Sequence, residues 1–346
     1  MRILIYGAGA IGGYLGSRLL QSGQQVVMLD RRQVADAINK NGITVKEGDQ
    51  KDHVQPTAVS SIAQALDVMD DYDLIVMSLK SFDLPDALDN LSDLYPGSAA
   101  ILTTGNGIGI EEPFIECFGA KRVIAGSLTT PVSKNKQHHL IVERSRGLGL
   151  SPANPGQDIR NWVSMFQKAG IPAVSIADHL SMKWSKALLN MVGNASSAIL
   201  TMPPGDVYHD SYGFDLEIRM LQEILSVMKR KNLRVIDLPG PSATSLARAV
   251  KWAPRFLLKP VLTKLVSGGR GEKMPSFYID LVSGRGKSEV VYHNGAVADA
   301  GEALGVDVPV NRVLNDVLVR LTNQEEDGST FAHHPRRLAA EVEKIV

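Results

Sequence analysis

The chain has 346 residues, and at roughly 150 residues per domain this points to two domains. With 44% hydrophobic and 21% charged residues it can bury ordinary cores, which excludes disorder as its main state. Its 37 Lys plus Arg balance 37 Asp plus Glu, so it lacks the basic excess of a non-specific nucleic-acid binder. The single cysteine, Cys117, cannot close an internal disulfide, which fits a reducing compartment. The cytoplasm is therefore the expected location. No run of about 18 apolar residues is present, so no membrane partner is expected. The first residues lack the layout of a cleavable signal and are expected to be structure from the start.

Residues 2–6 form a short apolar run rich in strand formers. Gly7-Ala8-Gly9-Ala10-Ile11-Gly12-Gly13 follows, and residues 14–20 read as a helix that Ser22-Gly23 ends. Residues 25–29 form a second strand, closed by Asp30. Gly7, Gly9 and Gly12 match G-x-G-x-x-G, in which each glycine has its own task. The first allows a tight turn, the second lets backbone approach a pyrophosphate, and the third lets helix and strand pack closely. The helix N-terminus then offers free N–H groups and a positive dipole end to phosphate. A strand before, a helix after and an acid closing the second strand favour a dinucleotide site over a ligand-free glycine turn. Asp30 suits a ribose 2′-hydroxyl and so NAD(H). Arg31 and Arg32 suit a 2′-phosphate and so NADP(H).

Strands are expected at 73–80 and 99–104, and helices at 33–40, 61–69 and 83–92. This alternation predicts a doubly wound, Rossmann-like parallel sheet. Ligands bind outside the carboxyl ends of such strands. Lys80 and Asn106, flanked by Gly105 and Gly107, stand at two of these ends. Each reads equally well as a ligand contact or as a solvated strand end and a turn former. Strand-like pieces continue at 123–126, 140–142, 147–150 and 173–176. His138 and His139 read as a solvated hairpin tip, and no metal is expected.

The pattern turns helical near Asp178, so the domains are expected to be 1–177, dinucleotide-binding, and 178–346, all-α and substrate-binding. Residues 179–200 predict one long helix with Lys186, Asn190 and Asn194 at i, i+4 and i+8 on one face. That stripe reads either as a proton donor with two orienting amides or as a solvated surface stripe. Further helices are expected at 215–232, from 276, at 296–305, at 309–322 and at 335–344. Residues 244–273 interleave Arg248, Lys251, Arg255, Lys259 and Lys264 with apolar residues. Pro254 and Pro260 should split or kink any helix there. Soluble amphipathic pieces are expected rather than a membrane-surface segment.

Taken together, these residues resemble the ketopantoate reductase (2-dehydropantoate 2-reductase) family. The carriers are Gly7 to Gly13, Lys80, Asn106-Gly107, Lys186 with Asn190, Pro275-Ser276 with Asp280, and Ser288-Glu289 ahead of Asn294-Gly295. The resemblance implies NADPH-dependent reduction of ketopantoate to pantoate, a step toward pantothenate and coenzyme A. It implies that Lys186 donates the proton, with Glu289 beside it and near the cofactor. It implies substrate contacts at Asn106, Asn190, Asn194 and Ser276. Cofactor contacts are implied at Gly7, Ala8, Gly9, Ala10, Ile11, Gly12, Asp30, Arg31, Lys80, Asn106, Val132 and Glu289. NADP(H) is the favoured cofactor, with NAD(H) open because of Asp30. The partner is a small 2-oxo acid, and a homodimer is compatible with the sequence. The chain departs from the family in a long basic segment and in one extra residue between Asp280 and Glu289. A reductase of another branched 2-oxo acid is the alternative.

Overall fold

Ile3, Leu4 and Ile5 are fully buried in β1 (Arg2–Tyr6), as expected of a strand covered on both faces. The computed structural model describes residues 1–136, 138–270 and 273–345. The chain divides into two compact units. The first holds Met1–Asn106, Ile110–Lys183 and Leu238–Pro241; the second holds Gly107–Gly109, Trp184–Asp237 and Ser242–Val346.

In the first unit β1 is followed by α1 (Ala10–Gln21), β2 (Gln25–Leu29), α2 (Arg32–Asn41), β3 (Ile43–Glu47), β4 (Gln50–Val54), β5 (Thr57–Val59) and α3 (Ile62–Val68). Then come β6 (Leu74–Met77), α4 (Leu84–Leu94), β7 (Ala100–Thr103), α5 (Glu112–Phe118) and β8 (Val123–Leu128). The unit continues with β9 (Val132–Lys136), β10 (His139–Val142), β11 (Leu148–Pro152), α6 (Arg160–Lys168) and β12 (Ala173–Ser175). An eight-stranded sheet has the order β12-β11-β8-β7-β6-β1-β2-β5. The strand order runs outward from β1 in both directions, so the reversal falls between β1 and β6. That is where an open α/β sheet leaves a crevice for ligand.

Two features depart from the expected parallel sheet. β11 runs antiparallel to β8. A second sheet, β4-β3-β10-β9, contains a hairpin over 43–54. β4 is nearly all polar (Gln-Lys-Asp-His-Val), so no apolar pattern announces it. It is held by pairing with β3, by the left-handed Gly48 in the turn, and by Arg18 of α1. Arg18 forms ion pairs with Glu47 and with Asp52, the latter at 2.9 Å. His138 lies in the turn between β9 and β10, beside Gln137, which is outside the described residues.

The remaining elements are α7 (His179–Met191), α8 (Ala195–Leu200), α9 (Pro204–His209), α10 (Ser211–Arg230), α11 (Ala243–Trp252), α12 (Arg255–Arg270), α13 (Ser276–Val282), α14 (Asn294–Leu304), α15 (Pro309–Thr322) and α16 (Pro335–Glu343). The second unit is helical, and its core gathers Leu188, Met191, Met220, Leu221, Ile224, Val317 and Leu318. The long helix expected over 179–200 is broken after Met191. Gly193 is left-handed (φ 56°) and donates its N–H to Glu217 Oε2 at 2.7 Å. The fully buried Glu217 also accepts from Ser196 Oγ and from Tyr208 Oη at 2.9 Å. A carboxylate holding three donors fixes the break more firmly than helix propensity can oppose it. Glu217→Ala is expected to lower stability by about 3 kcal/mol, because buried donors lose their acceptor. Urea unfolding measures this, and a change under about 0.5 kcal/mol would contradict the anchoring role.

Pro254 separates α11 from α12, as expected, but Pro260 stands inside α12 without ending it. Its ring leaves the Phe256 carbonyl without a helical donor, and Phe256 is exposed, so water can satisfy that carbonyl. Leu258, Leu262 and Val266 of α12 pack on Tyr208 and Phe214. Trp252, Phe256, Leu257, Val261 and Leu265 remain exposed.

Candidate functional site

Gly7 follows β1 and takes φ 102°, a conformation that favours glycine. A Cβ there would also lie 2.9 Å from the Ser78 carbonyl group, just past β6. Gly12, in the first turn of α1, would place a Cβ 1.9 Å from the Gly7 carbonyl oxygen. Only a glycine lets α1 pack this close to the turn. Gly9 differs, since a Cβ there would meet nothing within 4 Å. It stands at the N-cap of α1, where no side chain caps the helix. The turn therefore leaves open backbone and uncapped N–H groups beside Ala10 and Ile11, which fits a pyrophosphate.

Asp30 ends β2 and turns back onto this loop. Its Oδ2 accepts from the Ala8 N–H at 2.7 Å, and its Oδ1 from the Arg31 N–H at 2.7 Å. Oδ2 thus helps to hold the glycine turn, while Oδ1 is engaged by the chain leaving β2. The Arg31 and Arg32 side chains are mostly exposed, and Arg31 Nε lies 3.8 Å from Asp30 Oδ1. Burial, then the charges of Asp30 and Asp86, raise the Tyr6 phenol above its ordinary value and keep it neutral.

Lys80 follows β6 and stands at the N-cap position of a short 3-10 turn at Ser81–Asp83, with no capping bond from its side chain. The ends of β6 and β7 are joined by the Thr104 N–H to the Met77 carbonyl at 3.0 Å. Ser78 Oγ and Thr104 Oγ1 lie 3.1 Å apart. Asn106 is half-buried just beyond, and among the described residues its side chain has no hydrogen-bond partner. An amide with both functions open can contact a ligand. Val132 begins β9 and is paired with Val142 in the smaller sheet.

In the second unit Lys186 and Asn190 lie on α7, both half-buried. Asn194 is not on that helix; it sits at the N-cap of α8, beyond the Gly193 break. Its Nδ2 donates to the Asn190 carbonyl at 3.2 Å and to Ser276 Oγ at 3.4 Å. Its Oδ1 accepts from the Phe277 N–H at 3.2 Å. The break thus turns Asn194 toward the first turn of α13, where Ser276 is exposed. The fold brings Asn194 and Ser276 together by a route that no i, i+4 spacing describes. Glu289 is buried at the start of a 3-10 turn, and its carbonyl lies 3.1 Å from His293 Nδ1. Between α13 and that turn, Gly284 and Gly286 are both left-handed.

Sequence reasoning missed a buried charged pair in the first unit, Lys183 and Glu111, 2.9 Å apart. The available signal was Lys183 itself, a charge set between the apolar Met182 and Trp184. Its partner is distant in sequence and carries no motif. Among the described residues no group of three or more His, Cys, Asp or Glu could hold a metal ion, and no helix is long and apolar enough to cross a membrane.

Comparison with known proteins bears on the family and the fold. Residues 3–154 match the family described as Ketopantoate reductase PanE/ApbA, and residues 178–321 match its C-terminal domain. A 2-dehydropantoate 2-reductase of Pyrococcus horikoshii is 26% identical over 317 residues, 91% of this chain and 95% of that one. One from Aquifex aeolicus is 23% identical over 322 residues, 92% and 96% of the two chains. The crystal structure of a PanE/ApbA family ketopantoate reductase from Ralstonia eutropha JMP134 has a TM-score of 0.79 at 24% identity, covering 94% of this chain and 99% of that one. A D-mandelate dehydrogenase with NADH and anilino(oxo)acetate has a TM-score of 0.78 at 19% identity, with the same coverage. The chain therefore belongs to the ketopantoate reductase (PanE/ApbA) family and is an NAD(P)-dependent oxidoreductase.

Proposed function

We propose that this protein reduces ketopantoate to pantoate with NADPH. The observation that carries the reading is the match to 2-dehydropantoate 2-reductases across both units, 91% of the chain. When bound, NADPH supplies hydride to the C2 ketone. The glycine turn from Gly7 to Gly12 holds the pyrophosphate on uncapped N–H groups of α1. Lys80 and Glu289 complete the cofactor contacts, with the backbone near Val132. Negative charge develops on the C2 oxygen as hydride arrives. The Lys186 ammonium stabilises that charge and delivers the proton, oriented by Glu289. Asn106, Asn190, Asn194 and Ser276 hold the carboxylate and hydroxyl of the substrate.

The state of Asp30 supports the choice of NADPH. Both of its oxygens are engaged by backbone N–H groups, while the Arg31 and Arg32 guanidiniums stand exposed for a 2′-phosphate. Arg31→Ala is expected to raise KM for NADPH about 10-fold and to leave KM for NADH within about 2-fold. Equal effects on both cofactors would place the 2′-phosphate elsewhere.

A second reading is reduction of another branched 2-oxo acid. It is favoured by the connection after α13, expected from the sequence to be one residue longer than in the family, whose left-handed Gly284 and Gly286 lie close in sequence to Ser276 and Glu289. Consumption of NADPH with ketopantoate against a panel of branched 2-oxo acids tests both. The best kcat/KM with ketopantoate supports the first, and a clear preference for another acid replaces it with the second.

A further inference from the structure

Glu111 and Lys183 are 1% and 2% exposed. Glu111 Oε1 accepts from Thr103 Oγ1 at 2.6 Å and lies 2.9 Å from Lys183 Nζ. The same ammonium donates to the Gly105 carbonyl at 2.6 Å and to the Gly126 carbonyl at 3.3 Å. An ammonium has three protons, and here each has an acceptor. The cluster is neutral and satisfied, so its burial is tolerated. A buried ion pair is nevertheless no better for stability than apolar residues of the same size. Stability alone does not account for it.

Its geometry does. The Gly105 carbonyl and the Asn106 N–H belong to one peptide plane. A 2.6 Å charge-assisted bond to Gly105 fixes that plane, and with it the direction in which Asn106 leaves the backbone. Gly105 needs such a tether, because it has no side chain to restrict its own dihedrals. The bond to Gly126 ties the tether to β8, whereas the Thr103 hydroxyl bonds Glu111 and does not touch the ammonium that holds Gly105.

We propose that Lys183 and Glu111 are positioning residues that aim Asn106 at its ligand. The proposal rests on the reading of Asn106 as a substrate and cofactor contact. It assigns a purpose to the pair that neither composition nor motif suggests.

The test uses the full-length protein and the paired variant Lys183→Met with Glu111→Leu, which removes both charges and keeps the site apolar. Its melting temperature is expected within about 4 °C of wild type. Hydrogen exchange of the backbone amides from Thr104 to Asn106 is expected to rise at least about 10-fold. With ketopantoate and NADPH, kcat is expected to fall about 100-fold, the effect of misplacing a contact by an ångström or so. Thr103→Val removes a cluster member but leaves the Lys183 to Gly105 bond, so its kcat is expected within about 3-fold of wild type. Unchanged exchange from Thr104 to Asn106 in the paired variant overturns the proposal, as does an equal loss of kcat in Thr103→Val. If the paired variant does not fold, Lys183→Met alone is read by the same exchange, with the same outcomes. Absence of turnover in the wild type would defeat the ketopantoate reading instead, and the exchange result would still decide the positioning.

Discussion

Lys186→Ala is expected to lower kcat for 2-oxo acid reduction on the order of 10³-fold, with NADPH affinity unchanged. Lys186 sits half-buried on α7, in a helix whose other neighbours, Ala187 and Leu188, are fully buried. On the proposed function, a cation held there meets the oxyanion only as it forms. Its loss therefore falls on the transition state more than on the bound substrate, and it lowers kcat more than it raises KM. General acid catalysis contributes about 10² to 10⁴-fold, and charge stabilisation at the same oxygen adds to it. Steady-state consumption of NADPH measures the effect, and fluorescence titration checks cofactor affinity. A variant that keeps kcat within about 5-fold of wild type would remove Lys186 from the chemistry.

The second large effect separates two glycines of one motif. Gly12→Ala places a methyl 1.9 Å from the Gly7 carbonyl oxygen, a backbone atom that cannot rotate aside. Overpacking of this kind costs about 3 kcal/mol or more, and α1 must move from the turn. Both stability and NADPH binding are expected to fall. Gly9→Ala meets no protein atom, and its φ of −73° suits alanine, so its stability is expected to match wild type. Its methyl enters the space assigned to the pyrophosphate, and NADPH affinity is expected to fall about 100-fold, some 3 kcal/mol. Thermal melting and NADPH titration of both variants decide it. A Gly9→Ala protein that binds NADPH normally would show that the open space beside α1 is not the phosphate site.

Much of the first unit was legible because its signals are local. Gly7, Gly9 and Gly12 each answer a steric demand within a few residues, and the strand and helix around them follow from short apolar runs. The ends of α2, α3 and α4 lie close to the expected ranges for the same reason. The hairpin over 43–54 was not legible, because β4 is polar and exists through pairing with β3. The antiparallel course of β11 is likewise set by its pairing with β8, which no local pattern records.

The stripe of Lys186, Asn190 and Asn194 marks the boundary most sharply. The sequence alone determined that the chain folds as an α/β unit followed by helices, carries a tight glycine turn between β1 and α1, and sets a lysine and two amides in an apolar helical stretch. These are consequences of periodicity and of backbone sterics, which act over a few residues. Only the tertiary structure decided that the helix breaks at Gly193, because Glu217 on α10 takes its N–H. That break sends Asn194 to Ser276 and Phe277, a partnership between elements far apart in the chain. It also decided that Lys183 lies against Gly105 and Glu111, fixing the peptide that carries Asn106. A buried polar group must find its partner wherever the fold supplies one, and sequence separation places no limit on that search.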